Sequence, residues 1–324
     1  MTQKALRLGT RRSMLAMAQS GQVADAVRQL TGRPVELVEI TTYGDTSREH
    51  LAQIGGTGVF VTALRDALLR GDVDFAVHSL KDLPTAQPDD LVLAAVPVRE
   101  DPRDVLVARD GLTLTELAAA TEGRPVRIGT GSPRRMSQLN AYARSHGIAI
   151  ETVPIRGNID TRIGFAHSGE LDAVVLAAAG LSRIGRIGEV TDFIPVDTML
   201  PAPGQGALAI ECTADNADLA AALAELDDPY TRVAVTAERS LLAALEAGCS
   251  APVGAYADLL ADGQVVHEMR LRGVVGTTDG STLVQLSITG PVPASHDEAV
   301  ALGRELADEM LAKGAAGLMG ERAL

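Results

Sequence analysis

Short aliphatic runs alternate with longer segments of helical period through the first 210 residues, and this alternation most constrains the fold. Residues 5–10 read as a strand and 13–30 as a helix, with Ser13 placed for an N-cap and Gly32 just past the end. A strand at 35–40 follows. Residues 59–70 repeat apolar side chains at Val59, Leu64, Ala67 and Leu68, a helical spacing that Gly71 ends. Residues 75–80 and 91–96 read as strands. The pattern restarts after Asp101-Pro102-Arg103, with strands at 105–108, 126–129, 149–153 and 173–177 and helices at 132–144 and 158–167. A β-α-β-α-β order repeated in this way predicts two α/β domains, each with a mainly parallel sheet covered by helices. The run Leu200-Pro-Ala-Pro-Gly-Gln-Gly206 reads as a second crossover, returning the chain to the first domain.

The last hundred residues break the rhythm. Asp228-Pro229 opens a helix running to about Glu246, strand-like runs follow at 253–259, 265–275 and 282–289, and Ser295-His-Asp-Glu298 forms a capping box for a final helix. The expected fold is two periplasmic-binding-protein-like α/β domains forming a clamshell, plus a small C-terminal α+β domain. The expected division is 1–99 with 198–218, 100–197, and 219–324. Ligands of open α/β sheets bind where strand C-termini face a crevice, so a cleft between the two domains is the expected site.

Composition narrows the function. The apolar stretch at 174–179 is closed off by Asp172 and Gly180, far short of the ~20 residues a membrane helix needs. The first nine residues lack an apolar export segment. Two cysteines, Cys212 and Cys249, are too few for a disulfide scaffold. A cytoplasmic chain without membrane attachment, metal site or nucleic-acid partner is expected; the net charge of −13 opposes nucleic-acid binding in particular. That charge is uneven. From Arg124 to Arg162 seven arginines face only Glu151 and Asp160, a net of +5, whereas Thr213 to Leu324 carries seventeen acidic against seven basic residues, a net of −10. An acidic chain with a basic middle points to a local site for a small polyanion.

The arginines fall at strand-to-helix turns. Gly129-Thr-Gly-Ser-Pro-Arg-Arg135 follows a strand and opens a helix, with Ser132 as cap and Pro133 in the first turn. Helix N-termini attract anions, and Arg134 and Arg135 add forked donors suited to carboxylates. The segment is neither a GxxxxGK[ST] loop nor a GxGxxG turn, so a nucleotide reading is weak. The plain alternative is a capped helix with two solvated arginines. Arg156-Gly-Asn158 with Arg162, and Thr10-Arg11-Arg12-Ser13, repeat the design. At 77–82 the sequence Val-His-Ser-Leu-Lys-Asp ends a strand, leaving Lys81 and Asp82 side by side where α/β catalytic groups collect. Read alone, the pair is equally well a surface ion pair, and His78 reads as a buried, satisfied histidine. Cys249 sits in a loop between helix and strand and Cys212 on a strand; a loop thiol is accessible and a strand thiol is more often a small buried hydrophobe.

Taken together, Gly9-Thr-Arg-Arg-Ser13, Gly55-Gly-Thr-Gly-Val-Phe60, Val77-His-Ser-Leu-Lys-Asp82, Glu100-Asp-Pro-Arg103, Gly129 to Arg135, Arg156-Gly-Asn158, Leu200 to Gly206 and Gly248-Cys249 resemble the porphobilinogen deaminases, also called hydroxymethylbilane synthases, along essentially the whole chain. The resemblance implies a cytosolic, monomeric, three-domain transferase of haem biosynthesis. It would condense four porphobilinogen molecules onto a dipyrromethane cofactor, release ammonia, and hydrolyse off hydroxymethylbilane. The implied cofactor anchor is Cys249, by thioether, and the implied catalytic residue is Asp82. The resemblance places Cys249, Lys81, Asp82, Ser13, Asp45, Ser132, Arg134, Arg135 and Arg156 at the cofactor, and Arg11, Ser13, Phe60, Arg156, Arg162 and Arg183 at the substrate. Each pyrrole carries an acetate and a propionate, so a growing chain accumulates carboxylates that a row of arginines can hold bidentately. Gln53, Thr57 and Tyr43 stand where family members are often basic, and Pro133 replaces an aliphatic residue. A solute-binding protein or a LysR-type ligand domain would share the clamshell pattern, but the missing export segment and the third domain with its loop cysteine oppose the first, and the lack of a helix-turn-helix segment and the acidic charge oppose the second.

Overall fold

The structure, a computed structural model, describes residues 4–41, 58–121, 123–247, 251–262 and 265–319, with side chains from Val61 onward in the second of these stretches. In chain order the elements are β1 (Leu6–Thr10), α1 (Met14–Thr31), β2 (Val35–Glu39), α2 (Gly58–Leu69), β3 (Phe75–Ser79), β4 (Leu91–Ala95), β5 (Asp104–Ala108), α3 (Leu114–Ala120), β6 (Val126–Gly129), α4 (Pro133–His146), β7 (Ile150–Val153), α5 (Ile159–His167), β8 (Ala173–Ala177), α6 (Ala178–Arg183), β9 (Asp192–Phe193), β10 (Leu208–Thr213), α7 (Ala217–Ala224), α8 (Pro229–Ala244), β11 (Val253–Asp262), β12 (Val265–Gly276), β13 (Leu283–Pro291) and α9 (His296–Ala312). They divide into two compact units, Met1–Glu100 with Ala207–Arg232, and Asp101–Gly206 with Val233–Leu324.

The first unit holds a five-stranded sheet in the order β2-β1-β3-β10-β4. β1 lies parallel to β2 and β3, whereas β10 runs antiparallel to both β3 and β4. The sheet is therefore mixed rather than mainly parallel. β10 is reached through the excursion over residues 101–206, not through a face helix, so no crossover forces it parallel. Helix α1 begins where the Ser13 side chain accepts from the Ala16 N–H and ends at Gly32, whose φ of 68° suits a left-handed cap. Its buried face, with Val23, Ala24 and Val27, packs on Leu6, Leu8 and Phe75, while Leu64, Ala67 and Leu68 of α2 lie in a separate cluster with Ala76 and Leu91. A sheet covered on both faces needs strands that are apolar throughout, and β3 is buried along its first four residues.

The second unit contains a sheet of the same order, β7-β6-β8-β5-β9, again with an antiparallel fourth strand, β5. Along β5, Leu106 and Ala108 join a cluster with Leu117, Ile128 and Leu139, while Val105 and Val107 join Ile163 and Val174 in another. That alternation is the period of a strand with a core on each side. The same unit carries the antiparallel meander β11-β12-β13, on which α8 and α9 pack through Ala237, Leu241, Leu306 and Met310. These are the two expected α/β sheets and the small α+β element that follows them. Helices α3, α6 and α7 and the two-residue strand β9 were not read from the sequence; each is short, and α6 continues directly from the apolar run of β8.

One charged side chain is built into the first sheet. Glu211 on β10 is fully buried and paired with Arg65 of α2 at 2.7 Å; His78 Nε2 lies 3.0 Å away, off the hydrogen-bonding direction. Burial alone would raise the Glu211 pKa, but His78 and Arg65 bring it down to about 2. A carboxylate held below its unfolded value stabilises the fold above the unfolded pKa of ~4.3, and that stability is lost as pH falls toward the folded value. Thermal melts should therefore show a decline between about pH 5 and pH 2. Glu211→Gln should flatten that decline and cost about 3–5 kcal/mol at neutral pH by leaving Arg65 uncompensated; an acid profile unchanged by the substitution would contradict this.

Candidate active site

In the first unit the relevant side chains sit at the ends of β1 and β3. Arg11 and Arg12 occupy the turn into α1, Arg11 half-buried and Arg12 exposed, with Ser13 spent on capping the helix. β3 ends at Ser79 and tightens into a 3-10 turn, Leu80–Asp82. The turn is fixed by Leu80 N–H donating to Ala207 O at 3.0 Å and by Gln19 Nε2 donating to Ser79 Oγ at 3.0 Å. Lys81 and Asp82 are half-buried, and among the described residues the Asp82 carboxylate makes neither an ion pair nor a side-chain hydrogen bond. The surface ion pair with Lys81 is therefore not what this turn builds. An acceptor left open beside a cationic neighbour suits ligand N–H groups or developing positive charge. His78 is buried beside Glu211, as the sequence indicated, but it is not satisfied: its Nε2 has no hydrogen-bond partner among the described residues.

In the second unit three turns lie at the C-terminal edge of the parallel strands β6, β7 and β8. The first brings the backbone very close to its neighbour: a Cβ on Gly131 would sit 2.6 Å from Ile155 O. Ser132 then caps α4. Arg134 and Arg135 are not solvated; they are 3% and 5% exposed and converge on Asp104, which is fully buried. Arg134 Nη1 donates to Asp104 Oδ2 at 2.7 Å and to Leu200 O at 2.6 Å. Arg135 donates to Asp104 Oδ1 from Nε at 3.0 Å and from Nη2 at 2.7 Å, and to Val175 O from Nη1 at 2.9 Å. Gln205 Nε2 adds a bond to Asp104 Oδ1 at 2.9 Å. Burial would raise the Asp104 pKa, but Arg134 and Arg135 hold it well below the carboxylate range.

The second turn adds charge without compensation. Gly157, at φ 110°, allows Asn158 to cap α5. Arg156 is exposed and has no partner among the described residues. Arg162 spends Nε on Gly157 O at 2.9 Å, and no carboxylate among the described residues pairs with it. Burial, together with repulsion from Arg135, lowers its pKa. At the third turn Arg183 Nη2 donates to Gly206 O at 2.6 Å. This edge thus gathers Arg134, Arg135 and Arg162 into one field with a single buried carboxylate among them.

Several expected residues are not placed. Asp45 and Cys249 lie outside the described residues, as do Gln53, Thr57, Tyr43 and the Phe60 side chain. Cys212 is fully buried on β10, and burial, with Glu211 and Asp215 nearby, pushes its thiol up to about 11; such a thiol is inert. Gln19, Asp104 and Gln205 were not singled out from the sequence. Only Asp104 had a signal: it is a carboxylate at the start of a strand, directly after Asp101-Pro102-Arg103.

The donor set fits a group bearing several carboxylates. Among the described residues, Arg156 and Arg162 lack carboxylate partners, the Arg134–Arg135 pair carries excess positive charge, and buried Arg134 Nε has no acceptor. Among the described residues no helix is long and apolar enough to cross a membrane, and no cluster of His, Cys, Asp and Glu is suited to a metal ion. Fold and site together define an α/β enzyme that handles a small polyanion with arginines at strand ends.

Comparison with known proteins makes that class specific. A family model described as porphobilinogen deaminase, dipyromethane cofactor binding domain, matches residues 6–221, and one described as porphobilinogen deaminase, C-terminal domain, matches 232–312. Porphobilinogen deaminase 1 of Streptomyces avermitilis is 86% identical, covering 99% of both chains. The porphobilinogen deaminase of Thermobifida fusca is 56% identical, covering 95% of this chain and 94% of that one. Among solved structures, the ligand-binding component of an ABC-type import system from Staphylococcus aureus is 12% identical, covering 74% of this chain and 73% of that one, with a TM-score of 0.40. The chain belongs to the porphobilinogen deaminase family. It is a transferase of tetrapyrrole biosynthesis whose cofactor is dipyrromethane.

The contact at Gly131 yields a direct check. Gly131→Ala should push the β6–α4 turn away from Ile155 and lower stability by roughly 1–3 kcal/mol, read from denaturant midpoints. An unchanged midpoint would mean that the close approach is not needed.

Proposed function

We propose that the chain condenses four porphobilinogen molecules into hydroxymethylbilane by the following division of labour, in the cytoplasm and as a monomer, with no nucleic-acid partner and no membrane attachment. When bound, the dipyrromethane supplies a free pyrrole carbon that serves as the nucleophile and primer. Cys249 anchors it as a thioether, and Lys81, Asp82, Ser13, Asp45, Ser132, Arg134, Arg135 and Arg156 hold it. Arg11, Ser13, Phe60, Arg156, Arg162 and Arg183 take the acetate and propionate arms of the incoming substrate. The domain division that goes with this reading is 1–99 with 198–218, 100–197, and 219–324.

The observation that carries the reading is the excess of arginine charge over carboxylate along the second unit's strand edge. Guanidinium suits the task because it stays charged when buried and binds a carboxylate with two parallel bonds. Asp82 has the opposite role. With no side-chain partner among the described residues, its carboxylate is available to oppose the positive charge that develops on the substrate as ammonia leaves, and to accept the proton lost when the ring carrying the new carbon–carbon bond rearomatises. Lys81, next to it, binds an acidic arm. The burial of Cys212 supports Cys249 as the anchor, since a thiol titrating near 11 inside a sheet is a poor nucleophile.

Two experiments test this. Cys249→Ala should leave the denatured polypeptide at its bare mass, whereas Cys212→Ala should retain the added mass of a dipyrrole; a dipyrrole on Cys212 would overturn the anchor assignment. Asp82→Ala should keep the dipyrrole yet lower kcat by about 10²-fold or more, as expected for losing a general acid–base and electrostatic group. Turnover at the wild-type rate would remove Asp82 from the chemistry.

A further inference from the structure

We propose that Asp104 is a positioning residue for the anion-binding arginines: it holds Arg134 and Arg135 side by side at the start of α4, and Gln205 fixes its orientation. The proposal rests on the reading that those two arginines bind pyrrole carboxylates. Asp104 has no exposed surface, so it acts on a ligand only through the groups it holds.

Adjacent guanidiniums repel, and burying two of them with no counter-charge would be prohibitive. One carboxylate makes the arrangement possible. Its Oδ2 receives Arg134, while its Oδ1 receives Arg135 through two nitrogens and Gln205 through a third. Gln205 Nε2 also donates to Pro102 O at 2.7 Å, which ties the amide to the chain just before β5. The same Arg134 Nη1 also donates to Leu200 O, and Arg135 uses its remaining nitrogen, Nη1, on Val175 O. All these bonds fix direction, yet the charge does not balance, because two buried cations share one anion. Among the described residues Arg134 Nε remains buried without an acceptor. A group made only for stability has a different form in this same unit. Asp172 also serves two arginines, Arg109 and Arg124, but their side chains are 28% and 50% exposed, so water screens the excess charge. At Asp104 the excess is kept out of water and aimed in a fixed geometry, which favours an incoming carboxylate.

Four variants separate positioning from plain stability: Asp104→Asn, Gln205→Met, Arg135→Met and Asp172→Asn. Each is melted, weighed as intact protein for its dipyrrole-bearing fraction, and assayed for KM and kcat with porphobilinogen well below its melting temperature. Asp104→Asn raises the local charge, so if charge alone mattered it would lower KM. Positioning requires the reverse: KM raised, kcat/KM down about 10–100-fold, and an increased fraction of protein without dipyrrole. Asp172→Asn should lose melting temperature but keep wild-type KM, kcat and dipyrrole content. If folded Asp104→Asn has wild-type or tighter KM and full dipyrrole content while Arg135→Met has lost binding, the positioning role is overturned and the arginine reading stands. If Arg135→Met itself binds normally, the arginine reading fails and takes the proposal with it. Should Asp104→Asn not fold, Gln205→Met, which keeps all three charges, decides: a raised KM supports the role and a wild-type KM overturns it.

Discussion

A single carboxylate buried between two neighbouring guanidiniums organises the ligand edge of the second unit. Asp104 allows Arg134 and Arg135 to enter the interior, and their burial in turn fixes the first turn of α4 against Leu200 and Val175. The Gly131 contact with Ile155 sets where that turn begins. Turn, helix and arginine pair are thus one construction. In water, side chains this long would sample many rotamers and hold a carboxylate weakly. Bonded from behind, they lose that freedom at folding rather than at each binding event, which is the advantage of preorganisation.

Much of this was legible in the sequence because the signals were local. Periods of 2 and 3.6, caps such as Ser13, Ser132 and Asn158, and glycine stops at Gly32 and Gly71 placed nearly every long element within a few residues. The turns bearing arginine were legible for the same reason. What was not legible depended on pairing across long separations. Nothing near Arg134 indicates that its counter-ion lies thirty residues upstream, so the arginines read as either solvated or unpaired, and they are neither: both are buried on one shared carboxylate. The reversal of β10 was hidden as well, since an apolar run carries no direction. Helices α3, α6 and α7 fell below the length at which a helical period can be told from a strand or loop. Asp82 was legible as a residue at a strand end; that no described residue pairs with it required the fold.

The two sheets share a strand order, and in each the antiparallel fourth strand carries a fully buried carboxylate, Glu211 on β10 and Asp104 on β5. Strand direction determines what each carboxylate can do. Glu211 lies opposite Ala76, near the start of β3 and away from the edge where Lys81 and Asp82 emerge. Its neighbours, Arg65 and His78, are taken up in holding a helix and a strand onto the sheet. Asp104 is the first residue of its strand and lies opposite Ala177, the last residue of β8. Because β5 runs against β8, the start of one strand meets the end of the other, and that end is where the helix N-termini and arginines collect. A parallel fourth strand would have carried its first residue to the opposite edge. The reversal therefore does more than complete the sheet: it delivers a carboxylate from the beginning of a strand to the edge where anions are gripped. This is why two chemically similar buried acids serve one as a fastening of the core and the other as the support of the site.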